Sequence, residues 1–402
     1  MMVAVTTTAA VSWDPYDVDI AKDPYPTYRR LRSDVPLYRN DEHDFYALSR
    51  FADCNAGLPD WETYRSGRGA VLELIQSGME LPSGTLIFED PPAHSIHRSL
   101  LVRVFTPRRV AALEPKMRAF CAAALDPLIG SESFDLIAAF GAELPMRVIS
   151  MLLGIPEADQ VAVRDHVDKG LRTEAGQPMQ YRDASFMSGE LFGDYIDWRL
   201  EHPSDDLMTE LLRTEFEDEN GVRRTLTKAE VLTYTSVVAG AGNETTNRLI
   251  GWAGALLAQH PDQRDELVKD PSLISGAVEE ILRYEPPAHY VGRYVARDVE
   301  LYDEVVPQGS AMLFLLASAN RDEERYPDGE QFDIHRRGVG QLMTFGLGPH
   351  YCLGAALARL EGRIALEELL ARFPRWEVDV DRAHLSSTST VRGWETLPIT
   401  VG

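Results

Sequence analysis

From Ala93 onward the apolar positions recur at helical spacing, with candidate helices near His94–Val104, Ala111–Leu128, Phe140–Leu153, Ala158–Leu171 and Tyr181–Glu201. The longest candidate, Lys228–His260, opens on the capping-box pattern Thr227-Lys-Ala-Glu230 and stops at Pro261. At 1.5 Å per residue it would run roughly 50 Å, enough to cross a whole domain. Further helices are predicted near Asp262–Val268, Ile274–Tyr284 and Leu353–Phe373, and Val291–Leu301 and Ala311–Ala317 read as strands. Ahead of these, Trp13–Gly69 mixes Pro, Tyr and Asp with short β-prone runs such as Asp44–Leu48. Residues 1–13 read as a flexible N-terminal tail and 14–402 as one domain, mainly α with a minor β portion (α+β).

Composition narrows the class. The chain has 402 residues, 44% apolar and 26% charged, which excludes disorder and leaves room for a core large enough to enclose a cofactor. Its 63 acidic against 40 basic residues give a net charge of −23, which argues against nucleic acid as a partner. No window reaches the roughly 18 to 20 apolar residues that span a bilayer, so no membrane association is expected. Met1–Ala10 lacks the charged and apolar regions of a signal peptide. Three cysteines, Cys54, Cys121 and Cys352, are too few and odd in number for a disulfide framework, so a cytoplasmic protein is expected.

The most informative segment is Phe345-Gly-Leu-Gly-Pro-His-Tyr-Cys-Leu-Gly354. A lone cysteine is most often a small buried hydrophobe. Here Gly346, Gly348 and Gly354 permit close backbone approach, and the amphipathic helix predicted after Cys352 would place its sulfur at a helix N-terminus that favours a thiolate. No Cys or His lies at zinc-like spacing, and a single thiolate suits the axial position of heme iron. Phe345, Gly346, Gly348, His350, Cys352 and Gly354, with Ala358 beyond, resemble the heme-binding loop of the cytochrome P450 monooxygenases.

That resemblance covers nearly the whole chain, from Asp23-Pro-Tyr-Pro26 to Arg392-Gly-Trp-Glu-Thr-Leu-Pro398. It implies a P450 fold with the long helix crossing over heme b (iron protoporphyrin IX). It makes Cys352 the proximal metal ligand, Phe345 a neighbour of the sulfur, and His350 a contact of a heme propionate. Leu342 stands where bacterial members often carry His, with little expected effect on ligation.

Three more segments fit the same family. Ala241-Gly-Asn-Glu-Thr-Thr246 places an acid–alcohol pair, Glu244 and Thr245, beside Gly240 and Gly242, each costing roughly 1 kcal/mol in a helix interior. Such a cost suits a helix that opens or lets a ligand approach. By resemblance the hydroxyl steadies bound oxygen and the acid relays protons, with Asn243 in reach of the same network. Glu280-Ile-Leu-Arg283 puts two charges on one helix face, and by resemblance they form a buried structural triad with Arg336. Asp90-Pro-Pro-Ala-His94 opens a helix on which His94 and Arg98 share a face. The resemblance assigns both, with Arg293, to the heme propionates; His97 reads as simply exposed.

The implied activity is insertion of one oxygen atom into a hydrophobic small molecule such as a terpenoid, steroid, fatty acid or aromatic compound. Ile87, Val237, Val238, Ala241, His289, Val291, Thr390 and Val391 would line its pocket by family position. His289 could make one hydrogen bond to substrate, but it reads rather as a satisfied loop histidine. Residues 173–181 have the Gly/Pro content of a lid. With no flavin or iron–sulfur segment apparent, the two electrons would come from an external ferredoxin and its NAD(P)H-dependent reductase. Arg103, Arg108 and Arg109 are candidates for the docking patch, and a monomer is expected. A peroxide-driven peroxygenase would not need the Glu244–Thr245 pair, and a non-catalytic heme-thiolate sensor would need an output domain.

Overall fold

The capping box at Thr227 forms. Glu230 N–H donates to Thr227 Oγ1 at 3.2 Å, and Thr227 N–H donates to the Glu230 carboxylate at 2.7 Å. From there the helix Lys228–Gln259 runs 32 residues without a break, ending before Pro261. Every residue from Thr246 to Leu257 is buried, so this half is a core helix sheathed on all sides. In its first half Val237, Ala241 and Thr245, spaced four apart, stay open on one face. The computed structural model describes residues 11–81, 84–171, 173–180, 189–386 and 391–402.

The helices Glu143–Leu153, Ile274–Tyr284 and Ala355–Arg372 pack on this central helix. Ala355–Arg372 is buried around most of its circumference, so the amphipathic pattern read for it is not realised. Several predicted helices are shorter and flanked by tighter or looser turns. Ala111–Leu128 resolves into Glu114–Leu125 followed by a 3₁₀ turn, and Phe140–Leu153 into a π-helical turn at Ile137–Gly141 and a helix from Glu143. Of Tyr181–Glu201, residues 181–188 lie outside the described residues, and the helix is Gly193–Glu201.

The β portion is a mixed five-stranded sheet in the order Leu37–Asn40, Phe45–Leu48, Ala311–Phe314, Val291–Val295, Tyr64–Arg65. Its central strand, Ala311–Phe314, pairs parallel with Phe45–Leu48 and antiparallel with Val291–Val295. The strand read as Val291–Leu301 ends at Val295, because Ala296 N–H turns to the Thr63 carbonyl. Val299–Leu301 instead pairs with Glu304–Val306 through a turn at Tyr302 and Asp303, both at positive φ. Ala311–Ala317 stops at Phe314 and gives way to the helix Leu316–Ala319.

Trp13, counted with the tail, is 2% exposed. Its ring meets Tyr28, Tyr38, Phe45 and Tyr290 edge-on, and its backbone is held by the Tyr38 hydroxyl and Asn40. An indole beside this many aromatic rings is worth more buried than solvated, so the fold begins before residue 14.

Candidate active site

Cys352 lies in a loop closed by its own backbone, its N–H donating to the Phe345 carbonyl at 2.8 Å. Gly346 and Gly348 hold φ of +65° and +69°, where L side chains are strained. A Cβ on Gly348 would also stand 2.6 Å from Pro59 Cα. Gly354 caps the following helix. Cys352 is reachable from solvent, yet enough protein surrounds its sulfur that desolvation raises the thiol. The Gly354 N–H and the charges of Arg98 and Arg359 oppose this and do not win. Burial thus works against a thiolate here, and the Gly354 N–H with Arg98 and Arg359 works for it.

The loop is braced from two sides. Phe345 is buried, with the Arg359 guanidinium 4.3 Å from its ring centroid. Arg359 is held in turn by Glu279 at 2.5 and 3.1 Å. On the other side Glu280 and Arg283 form a two-pronged pair, Nε–Oε2 and Nη2–Oε1 both 2.7 Å, and Arg336 Nε reaches Glu280 Oε1 at 3.2 Å. Arg283 also donates to the carbonyls of Asn320, Gly329 and Gln331. Asn320 bonds Met343 N–H and Thr344 Oγ1, each at 2.8 Å, which carries the brace into the residues before Phe345. Sequence reasoning missed Asn320 and Arg359, whose partners are remote in the chain.

Two guanidinium groups and two imidazoles converge beside the loop. The His94 and His350 rings are 4.2 Å apart, and Arg98 Nη2 donates to the Tyr351 carbonyl at 2.5 Å. Desolvation, with Arg98 next, drives His94 down to about 4. Desolvation, with Arg293, His94 and Arg98, drives His350 down to about 2. Arg293, fully inside the protein, is lowered to about 10 by desolvation, with only Asp90 opposing. Both ring nitrogens of His94 and Nε2 of His350 are buried with no protein partner among the described residues. Such a set suits an anion with more than one acceptor oxygen. His97, expected at the surface, is buried instead, its Nδ1 2.8 Å from Glu89 Oε2.

On the central helix Thr245 Oγ1 donates back to the Ala241 carbonyl at 2.9 Å. The helix does not open at its glycines. Gly242 is there for packing, because a Cβ would overlap the Ile149 side chain of the neighbouring helix. Asn243 lines a small cavity against Ile149, Ser150 and Val163, on the face away from Thr245. Glu244 pairs with Arg248 one turn on, Oε1 to Nη2 3.1 Å. The i,i+4 acid–base spacing was legible in the sequence.

The expected pocket residues do not all gather. Val237 and Ala241 share the open face with Thr245, and Ile87 is exposed on a 3₁₀ turn at Leu86–Phe88. Val238 belongs to the main apolar core. Val291 begins its strand and is partly buried, Val391 bridges Ala288, and Thr390 lies outside the described residues. His289 is placed elsewhere. Its ring is buried against Tyr25 and Tyr28, with Nδ1 3.3 Å from the Tyr28 hydroxyl, because the aromatic cluster around Trp13 claims it. Of the lid candidate, residues 173–180 are described, and Met179 N–H donates to Glu73 at 3.0 Å. Arg103 and Arg108 are exposed, while Arg109 is paired with Glu210 at 2.6 Å.

A helix-sheathed core with one cysteine loop and a cationic cluster beside it defines a heme-thiolate type of protein. The family model of cytochrome P450 matches residues 194–393. The chain is 39% identical over 392 residues to cytochrome P450 123 of Mycobacterium tuberculosis, covering 96% of each. It is 34% identical over 409 residues to the vitamin D(3) 25-hydroxylase of Pseudonocardia autotrophica, covering 99% of each. The solved structure of cytochrome P450 CYP109Q5 from Chondromyces apiculatus superposes with a TM-score of 0.85 at 32% identity, covering 97% of this chain and 98% of that one. This chain belongs to the cytochrome P450 family, and it is a monooxygenase.

Members of the family bind heme through a cysteine thiolate. The residues present fit that group. Heme carries two carboxylates, and the unpartnered imidazole nitrogens with Arg98 and Arg293 offer donors for both. Among the described residues no group of three or more His, Cys, Asp or Glu could hold a bare metal ion. No helix among the described residues is long and apolar enough to cross a membrane.

Proposed function

We propose that this chain hydroxylates a hydrophobic small molecule, with Cys352 as the proximal ligand of heme iron and His94, Arg98, Arg293 and His350 on the propionates. The observation that carries the reading is the convergence of these four side chains beside the Cys352 loop, with imidazole nitrogens unpartnered in a buried site. Heme held by Cys352 would supply oxygen activation when bound, the overall reaction placing one oxygen atom in a C–H bond and releasing the other as water at the expense of two electrons and two protons.

The protein's own residues do the rest. Gly354 N–H, Arg98 and Arg359 lower the cost of holding negative charge on the sulfur. Thr245 presents a hydroxyl on the open face of the central helix, and Glu244 beside it passes protons inward from solvent. Val237 and Ala241, on the same face, exclude water and receive apolar substrate, as does Ile87. A relative named for hydroxylating vitamin D(3) supports an apolar substrate of that kind. The electrons come from a separate ferredoxin and its NAD(P)H-dependent reductase, in the cytoplasm, with Arg103 and Arg108 offered to the ferredoxin.

An optical titration of the ferric protein with terpenoids, steroids, fatty acids and aromatic acids tests this. A blue shift of the Soret band with one class identifies the substrate class. Loss of the thiolate spectrum in Cys352→Ser is expected, and an unchanged spectrum in that variant would overturn the ligand assignment.

A further inference from the structure

Glu244 and Arg248 are each 8% exposed at the side chain, one turn apart on the central helix. Arg248 is also fixed from outside that helix. Its Nη2 donates to Ser386 Oγ at 2.9 Å as well as to Glu244, and its Nη1 donates to the Trp394 carbonyl. Trp394 opens one arm of the ribbon His384–Leu385 with Trp394–Thr396 and Ser386 directly follows the other, the two joined again by Ser386 N–H on the Gly393 carbonyl at 2.8 Å. Gly393 is shaped to the arginine. A Cβ there would stand 2.6, 2.7 and 2.9 Å from Arg248 Cδ, Cβ and Cγ. The guanidinium that meets the Glu244 carboxylate is thus clamped by a second element of the fold.

We propose that Arg248 is the positioning residue for Glu244: it keeps that carboxylate charged and in one orientation beside Thr245, and it ties the orientation to the ribbon of His384–Leu385 with Trp394–Thr396. The inference rests on the reading of Glu244 as a proton relay. In each passage the Glu244 carboxylate takes a proton from solvent, gives it up toward the Thr245 hydroxyl, and returns to the charged form. Arg248 acts through its charge and hydrogen bonds. Removing the guanidinium that faces a carboxylate this buried shifts it toward its protonated form. A carboxyl that keeps its proton cannot accept the next one.

Arg248→Met, Arg248→Lys and Ser386→Ala test the proposal, with Arg248→Met/Glu244→Gln as the control. The first readout is the infrared C=O band of a protonated buried carboxyl in the resting ferric protein at neutral pH. Arg248→Met should gain a band that the double variant lacks, and Arg248→Lys should not gain it. In turnover, Arg248→Met should give several-fold less product per NADH, more peroxide and a larger solvent isotope effect. Arg248→Lys should restore part of the coupling, and Ser386→Ala should shift it the same way by less. No new band and unchanged coupling in Arg248→Met would overturn the proposal. If Arg248→Met does not fold, Arg248→Lys and Ser386→Ala both matching the wild type in coupling and isotope effect would overturn it equally. A wild type that never inserts oxygen would overturn the relay reading, while the infrared band would still decide whether Arg248 keeps Glu244 charged.

Discussion

Replacing Glu280 by Gln should cost this protein a large share of its stability margin. Both Glu280 and Arg283 are fully buried, at 0% exposure. Glu280 accepts two bonds from Arg283, one from Arg336 and one from Asp333 N–H at 3.0 Å. The glutamine keeps the shape but removes the negative charge and leaves a buried guanidinium uncompensated. Breaking one member of a buried pair costs about 3–5 kcal/mol. That is a more than hundredfold loss in the folded-to-unfolded ratio, against a total margin of about 5–15 kcal/mol. Equilibrium denaturation of the purified protein measures it directly. Asp19→Asn, which breaks an ion pair whose side chains are 70% and 82% exposed, serves as the control and should leave the midpoint in place. A Glu280→Gln midpoint as close to wild type as that of Asp19→Asn would refute the reading of a charge-compensated brace.

Three further outcomes follow from single contacts. Gly242→Ala sets a helix-propensity gain of about 1 kcal/mol against roughly 1–3 kcal/mol of overpacking on Ile149. A net loss of up to about 2 kcal/mol is expected in denaturation, relieved by Ile149→Val; strict additivity of the two changes would refute the clash. Burial alone would lower His97, but the hydrogen bond and charge of Glu89 raise it above its ordinary 6.5. The pair's stabilisation is therefore fullest below pH 6.5 and fades as pH rises through the raised value, so the stability lost in His97→Gln should shrink on the alkaline side. A loss that grows with pH would refute the sign. Thr245→Ala removes the hydroxyl bonded to Ala241, and should lower product per NADH and raise peroxide release; unchanged coupling would favour peroxide-driven chemistry.

The sequence disclosed local features well and long-range ones poorly. The capping box, the central helix and the loop of Cys352 were legible because each depends on neighbours within a few residues. The reading of Gly242 failed because its reason is Ile149, on another helix. His97 was misplaced for the same cause, since a histidine's burial is decided by partners such as Glu89 that no spacing reveals. Cys352 shows the limit for charge as well. The helix N-terminus after it could be read from sequence, but the surrounding protein that raises the thiol could not.

Hydrogen-bond saturation separates support from chemistry in this site, and it predicts which arginine binds a ligand. A guanidinium has five N–H donors. Arg283 uses its donors on Glu280 and on the carbonyls of Asn320, Gly329 and Gln331, so nothing remains for a ligand. Arg293 is just as deeply placed, yet among the described residues its one hydrogen bond goes to the carbonyl of adjacent Gly292. A buried arginine in that state costs stability, since desolvation already lowers it to about 10. An anion meeting it would offset that cost. Arg293→Gln should therefore loosen heme, seen as faster transfer of heme to an acceptor apoprotein. It should leave the apoprotein as stable as wild type or more so. Arg283→Gln should do the reverse, unfolding the protein whether heme is present or not. An Arg293→Gln apoprotein destabilised as severely as Arg283→Gln would place Arg293 in the brace and remove it from the heme site.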